Sequence, residues 1–186
     1  MNTWWASKDV LSVCIVVLLA FGCTGAPSGV VPVSGFELDR YLGTWFELAR
    51  LDHPFERGLT DVTAEYSIRD AGGVQVVNRG FDSKEGRFRT ATGKAFFLDD
   101  ASRGALKVSF FGPFYGGYHV IALDQEGYAW SMVSGPNRSY LWILGRSPEL
   151  DPAILEKLIA RADALGFPVS DLIRVSHERA EAAPTP

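Results

Sequence analysis

His53 and the acidic residues beside it are the side chains with the clearest capacity for chemistry in this sequence. Asp52 and Glu56 lie close to this imidazole in one predicted loop, and a carboxylate near a histidine can transfer protons in a reaction. His119 and His177 lie much further along the chain, so the histidines lack the spacing of metal ligands. Because adjacent polar residues in a loop are commonly just solvated, we expect no catalytic residue, no metal and no cofactor.

The two cysteines, Cys14 and Cys23, both precede the predicted fold. The uncharged run 10–21 is shorter than the roughly 20 apolar residues that a spanning helix needs, and it ends at small residues, as a signal peptide does. The run Leu19-Ala20-Phe21-Gly22-Cys23 resembles a bacterial lipobox, in which the cysteine is lipidated and becomes the first residue. An ordinary secretory signal with an incidental cysteine is the alternative interpretation.

The lipobox interpretation divides the N-terminal part of the chain into three pieces. Residues 1–22 form the signal peptide, Cys23 carries the lipid, and the remainder of 23–34 is a flexible tether rich in Gly, Pro and Ser. Thr24 stands where an aspartate retains lipoproteins in the inner membrane. The resemblance therefore implies a bacterial outer-membrane location, with the domain facing the periplasm.

Composition narrows the classes of partner. The chain of 186 residues carries a formal net charge of −4 and has no block of Lys and Arg, which argues against nucleic-acid binding. Its length suits one domain with a substantial core. No cysteine follows Cys23, so the stability of an exported domain must come from that core, without a disulfide.

From residue 43 the chain consists of short runs rich in Val, Phe, Tyr and Thr, separated by turns rich in Gly, Asp, Ser and Asn. Regular spacing with no helical stretch between the runs indicates antiparallel hairpins. Eight such strands close into a barrel wide enough for one small ligand. The predicted fold class is all-β, an eight-stranded up-and-down antiparallel β-barrel with one C-terminal α-helix packed outside. The strands are predicted at 44–51, 61–69, 74–81, 87–97, 105–111, 117–124, 128–134 and 140–146.

The helix follows the last of these strands. Asp151 predicts its N-cap, Pro152 suits its first position and Gly166 its end. Apolar residues recur between them at helical spacing and form one stripe, which should lie against the outside of the barrel. Residues 169–175 predict a short edge strand, so the barrel domain spans 35–176 and a disordered tail spans 177–186.

Four sequence blocks, taken in their order along the chain, resemble those of one known family. With the eight-strand count, they make residues 36–175 similar to the lipocalins, and specifically to the bacterial outer-membrane lipocalins. A middle motif of that family, commonly Thr-Asp-Tyr, is reduced to Leu123-Asp124, as in other bacterial members. The blocks are Arg40-Tyr41-Leu42-Gly43-Thr44-Trp45, Phe55-Glu56-Arg57-Gly58-Leu59, the run from Leu106 to Tyr118, and Tyr140-Leu141-Trp142-Ile143-Leu144-Gly145-Arg146.

The resemblance implies a non-catalytic carrier of fatty acids or lysophospholipids that stores or moves membrane lipid under envelope stress. It also implies a homodimer and attachment to the membrane through Cys23. Two other functions are compatible with such a barrel. One is a lipid-modifying enzyme of the isomerase or de-epoxidase type, with His53 and Glu56 as its acid–base candidates. The other is a tetrapyrrole carrier, with Met132 and His119 as conceivable ligands.

A strict meander fixes which loops share an end of the barrel. If the first strand runs from a closed base to an open mouth, the loops at 52–60, 81–87, 112–116 and 135–139 lie at the mouth. The eighth strand then ends at the base, so Arg146 meets Trp45 there despite their distance in sequence. A guanidinium stacked on an indole contributes on the order of 1–2 kcal/mol when desolvated, and we expect this pair to close the base.

Strand alternation assigns the interior. Ala64, Tyr66 and Ile68 share a face opposite Glu65, and Val108 and Phe110 oppose Lys107, so these apolar sets should point inward; for 128–134 the pattern does not decide. The mouth loops also hold aromatic and basic side chains, which suit either a ligand with an anionic head, ordinary loop packing, or a dimer contact. The predicted ligand-contacting residues, in the interior and at the mouth, are Ala64, Tyr66, Val108, Phe110, Tyr118, Tyr140, Trp142, Phe55 and Phe114.

Overall fold

The computed structural model describes residues 24–179. The predicted signal peptide, the lipidation site Cys23 and residues 180–186 of the predicted tail lie outside this range. Within it, short helices and strands follow one another in the order of the prediction. They are α1 Leu38–Tyr41, β1 Gly43–Leu51, β2 Leu59–Ile68, β3 Val74–Asp82, β4 Arg87–Phe97, β5 Ala105–Phe111, β6 Phe114–Leu123, β7 Trp130–Ser134, β8 Leu141–Gly145, α2 Pro152–Ala164, a 3₁₀ turn Val169–Asp171 and β9 Leu172–Arg174.

The first eight strands close a barrel. Each pairs antiparallel with its neighbour in the chain, and β1 pairs with both β2 and β8. The added strand β9 pairs with the end of β1 over Ala49–Leu51. The predicted architecture is thus confirmed, and no strand end is shifted by more than three residues. The largest shift is in β6, which begins at Phe114 because Phe114 and Gly116 pair with Phe111 and Val108 of β5.

The helix α1 plugs the base of the barrel and has no counterpart in the prediction. Its Tyr41 and the preceding Phe36 are buried in an inner cluster, which lies inside the barrel and also includes Trp45. The Trp45 Nε1 donates to the Tyr41 carbonyl oxygen at 2.8 Å. Four residues are too few to show a helical repeat of apolar residues, so periodicity could not reveal this element.

The helix α2 lies on the outer wall, as predicted. The Asp151 carboxylate accepts from the Ala153 amide at 2.7 Å, and Gly166 follows the helix with a φ of +79°. Leu158 and Ala162 are buried in an outer cluster with wall residues such as Ile143. In the part of the chain that the structure describes, no helix is long and apolar enough to cross a membrane.

Residues 24–34 lie against the outer wall. The Val33 amide donates to the Val120 carbonyl oxygen at 2.8 Å, and the Val33 carbonyl accepts from the Gly104 amide at 2.9 Å. Val30 is buried in the outer cluster. The flexible tether expected from the composition of this segment is therefore held to the barrel, because its valines bury apolar surface that a free tether leaves in water. The same holds for the first tail residues, since His177 Nε2 donates to the Glu47 carbonyl oxygen at 2.8 Å.

Arg146 joins three parts of the base. Its guanidinium lies 3.9 Å from the ring centroid of Trp45, and it donates to the carbonyl oxygens of Thr44 at 2.9 Å and Arg40 at 2.7 Å. Gly43 has a φ of +88°, a conformation that glycine adopts without strain, and this turns the chain from α1 into β1. The contact that the meander predicts between β8 and the Trp45 ring is thus present.

We expect Arg146→Met to lower the free energy of unfolding by about 1–2 kcal/mol, because it removes the stacking and the two carbonyl contacts. Urea unfolding followed by tryptophan fluorescence measures the change. Arg103→Met is the matched control, since Arg103 is an exposed arginine in a base loop. Equal losses in the two variants would show that the contact at the base contributes nothing specific.

Candidate functional site

The upper part of the barrel interior contains a narrow hollow of about 80 Å³ that opens at the mouth. Most of its wall is apolar, with the polar exceptions described below. Six of the predicted contact residues line it, namely Ala64, Tyr66, Val108, Phe110, Tyr118 and Trp142.

A second, much smaller hollow of about 20 Å³ lies deeper, above the plug at the base. Phe36, Leu38 and Tyr41 line its lower part, while Tyr66 and Tyr118 line both hollows. Val76 and Val108 also line both, so these valines and tyrosines together form the boundary between the two.

Hydroxyl groups meet at this boundary. The Tyr118 hydroxyl lies 2.8 Å from that of Tyr66 and 2.9 Å from that of Tyr41, which in turn lies 3.1 Å from the Ser131 Oγ. Burial raises the pKa of Tyr41 to about 12, although hydrogen bonds to Ser131 and Tyr118 oppose the shift. All four groups are thus neutral hydroxyls at neutral pH, and they satisfy one another across an otherwise apolar interior. We call them the hydroxyl layer.

Three other predicted contact residues lie at the rim of the mouth. Phe55 and Phe114 are 70% and 72% exposed, so neither forms part of the wall of the hollow. Tyr140 is half-buried, with its ring 6.1 Å from that of Trp142 and 5.7 Å from that of His53. A ligand confined to the hollow would not contact these rings; one that projects from the mouth would.

Alternation was wrong for one residue and undecided for one strand. Ile68 is exposed because it is the last residue of β2 and extends beyond the covered part of the barrel. In β7, Ser131 and Val133 face the interior, whereas Met132 belongs to the outer cluster beneath α2. Both faces of β7 are buried, and the sequence therefore shows no contrast of polarity between them.

A buried ion pair lies where β1 reaches the mouth. The Arg50 Nη1 is 2.6 Å from the Glu47 Oε1, and both side chains are almost wholly buried. The Arg50 Nη2 also donates to the carbonyl oxygens of Glu56 at 2.8 Å and Leu59 at 3.1 Å. Arg50 thereby holds the β1–β2 loop, residues 52–58, against the barrel. Beside the apolar sets that alternation predicts, the interior therefore also holds charged groups here.

Glu56 is buried in the same loop and lines the hollow. Its carboxylate accepts from Trp142 Nε1 at 3.0 Å and from Asn78 Nδ2 at 3.4 Å, and it lies 3.0 Å from His53 Nε2. The expectation that the polar residues of this loop are solvated is therefore wrong for His53 and Glu56. It holds for Asp52, which is exposed and pairs with Arg57. Packing of the loop onto Trp142, far away in sequence, causes this burial.

The pKa values of the two buried carboxyl groups, Glu47 and Glu56, are shifted in opposite directions. Burial raises the pKa of Glu47 well above its ordinary value, and the neighbouring Glu56 adds to this, while Arg50 offsets part of it. For Glu56, burial also acts to raise the pKa, but hydrogen bonding and charge from His53 and a hydrogen bond from Trp142 outweigh it, so the pKa is lowered.

We expect Glu56 to contribute to the loss of stability in acid. Its pKa is lower in the folded protein than the value of 4.5 for an unperturbed glutamate. Its stabilising contribution is thus complete above about pH 4.5 and is lost as the pH falls through the lower folded value. Urea unfolding from pH 7 to pH 3 should show a steeper acid limb for the wild type than for Glu56→Gln. Parallel limbs would contradict the assignment.

The conceivable metal or tetrapyrrole ligands lie elsewhere. His119 Nε2 donates to the Thr24 carbonyl oxygen at 2.9 Å on the outer wall, and Met132 lies beneath α2, so neither reaches the hollow. Over residues 24–179, no group of three or more His, Cys, Asp or Glu could hold a metal ion.

Comparisons with known proteins agree with this architecture. The family model described as a lipocalin-like domain matches residues 36–177. The chain is 51% identical over 168 residues to the outer membrane lipoprotein Blc of Vibrio cholerae serotype O1, covering 90% of this chain and 97% of the relative. It is 53% identical over 149 residues to the protein of the same name from Escherichia coli strain K12, covering 80% and 84% respectively.

Among solved structures, insecticyanin from the tobacco hornworm Manduca sexta superposes with a TM-score of 0.66 at 22% identity. The match covers 84% of this chain and 89% of insecticyanin, and at that identity it concerns the fold alone. The family match and the identities near one half extend over most of the chain. On these grounds, the chain belongs to the lipocalin family.

Proposed function

We propose that this protein is a carrier that holds one single-chain lipid, a fatty acid or a lysophospholipid, in the upper hollow of its barrel. The observation that supports this most is the hollow itself, which opens at the mouth and has an apolar wall between Ala64, Val108 and Phe110. Members of this family are generally binding proteins, and the wall needs no reactive group to hold an acyl chain.

The energetics of such binding are favourable. Removing an acyl chain from water contributes about 0.8 kcal/mol for each buried methylene. Ten buried methylenes therefore contribute roughly 8 kcal/mol, which corresponds to micromolar affinity before the cost of ordering the ligand. With the acyl chain in the apolar part of the hollow, the head group of the lipid lies near solvent, among the polar residues at the mouth such as Glu56.

The relatives suggest where the carrier works. Two that are about half identical to this chain are outer membrane lipoproteins by name. We infer that this chain is likewise attached to the bacterial outer membrane through a lipid on Cys23, with the barrel facing the periplasm. There it stores or moves membrane lipid when the envelope is under stress.

Identification of the bound lipid tests the proposal. Protein purified from a bacterial host should release a single-chain lipid that denaturing mass spectrometry detects. Titration of delipidated protein with a fluorescent fatty acid should reach one ligand per chain. Failure to bind any single-chain or two-chain lipid would end the proposal. If instead the protein consumed its lipid, loss of turnover with retained affinity in His53→Ala or Glu56→Ala would identify an enzyme.

A further inference from the structure

Three exposed phenylalanine rings lie on two connections at the mouth. Phe55, in the β1–β2 loop, and Phe111 and Phe114, at the β5–β6 hairpin, are each 70–72% exposed. Both connections lie at the end of the barrel where the hollow opens. In the strand order of the barrel the two connections lie across the mouth from each other, so these rings flank the opening and can contact one flat partner surface together.

Charge separates the two ends of the barrel. The connections at the base, together with residues 35–42 and 146–151, contain nine carboxylates and four guanidinium groups. The four mouth connections contain three acidic and three basic residues. An anionic membrane surface therefore repels the acidic base of the barrel but does not repel the mouth. This favours an orientation in which the mouth faces the membrane.

The N-terminal segment starts near the mouth. Thr24 packs against the outer face of β6. Its carbonyl oxygen accepts a hydrogen bond from His119, and it also lies so close to Gly117 that a Cβ atom built there would be 2.7 Å away. Gly117 is only three residues, about 10 Å, from Phe114 along the strand. A few residues later, the Ser28 carbonyl accepts from Arg138 of the β7–β8 mouth loop at 2.7 Å.

This placement constrains any anchor. Cys23 directly precedes Thr24, so a lipid on Cys23 would leave the chain beside the upper half of the barrel, near the exposed rings. Residues 24–34 then run along the wall toward the base, where Ser34 bridges to Arg103. They therefore cannot act as a long spacer while these contacts hold.

We propose that the mouth of the barrel docks face-on to an anionic lipid bilayer, with Phe55, Phe111 and Phe114 entering the head-group region. The inference rests on the proposed lipid-carrier function, and it adds the path by which the lipid enters the hollow. A lipid passes between the bilayer and the hollow without crossing water, because the rings remove water from the opening. Aromatic rings suit this region, since they are apolar enough to leave water and small enough to sit among head groups.

Photocrosslinking tests the docking itself. A benzoylphenylalanine is placed at position 114 of the full chain, expressed in a bacterial host, and in a second protein at position 68. Position 68 is the matched control because Ile68 is an exposed apolar residue at the base. We expect lipid adducts at position 114 and none at position 68. Adducts between two copies of the chain at position 114, or no adduct there, would overturn the proposal.

Transfer kinetics separate docking from binding. The full chain is mixed with vesicles of phosphatidylethanolamine and phosphatidylglycerol that contain a fluorescent fatty acid. Phe111→Ser should slow transfer on the order of tenfold, while Ile68→Ser should not. Affinity for the same fatty acid delivered from water should be unchanged in all three proteins. Unchanged transfer in Phe111→Ser overturns the docking. If the wild type binds no fatty acid from water, the carrier function fails instead, and crosslinking still decides the docking.

Discussion

Arg50→Met will lower the free energy of unfolding by about 3–5 kcal/mol, the range for breaking a buried ion pair by removing one partner. The substitution keeps an unbranched side chain but leaves Glu47 without its partner at 2.6 Å. It also leaves the carbonyl oxygens of Glu56 and Leu59 without their donor. Because Arg50 holds the β1–β2 loop, the effect should reach the mouth, and hydrogen exchange should accelerate in residues 52–58.

Two further variants make this result specific. Arg57→Met removes an exposed ion pair with Asp52 from the same loop and should cost less than about 1 kcal/mol. The double variant Glu47→Leu/Arg50→Met removes both buried charges and should recover part of the loss. Similar unfolding midpoints for Arg50→Met and Arg57→Met in urea would refute the importance of the buried pair.

Ala64→Trp will reduce the affinity for a fatty acid on the order of a hundredfold. Ala64 lines the upper hollow, and an indole there occupies the space of about four methylenes, or roughly 3 kcal/mol of ligand burial. Titration with a fluorescent fatty acid measures the change. The added ring costs about 1–3 kcal/mol of stability through overpacking, so an unfolding curve must accompany the titration.

Glu65→Trp is the matched control for this variant. Glu65 is adjacent in sequence, but its side chain is exposed on the opposite face of β2, so the same indole there leaves the hollow unchanged. Wild-type affinity in Ala64→Trp would place the ligand outside the barrel. Equal losses in both variants would indicate a general effect on the fold.

Much of the architecture follows from local patterns. Turn residues at regular spacing predict the hairpins, and Asp151, Pro152 and Gly166 predict the limits of α2. Because strand directions alternate in a meander, the end of β8 and the start of β1 lie at the same end of the barrel. This predicts that Arg146 lies next to Trp45, although the two are far apart in sequence. This succeeds because a meander leaves few alternatives once the number of strands is known.

Such reasoning reaches only some of the charged residues near the mouth. Glu47 is two residues from Trp45 and shares its inward face, so alternation alone could have placed it inside. The burial of His53 and Glu56 depends on Trp142, and no local pattern reports a contact between residues so distant. The docked N-terminal segment was missed for a similar reason, since its glycines and prolines are typical of flexible chains while its valines find their partners only on the folded barrel.

The hydroxyl layer forms the lower end of the upper hollow, and it therefore limits the length of acyl chain that the hollow can accept. A chain that pushes past it must break hydroxyl contacts such as the one at 2.8 Å between Tyr66 and Tyr118. Leaving a buried hydroxyl without a partner costs about 1–3 kcal/mol, which exceeds the 0.8 kcal/mol that one more methylene contributes. Affinity should therefore rise with chain length only until the terminal methyl reaches the tyrosines, and the lower hollow stays unfilled for every shorter lipid.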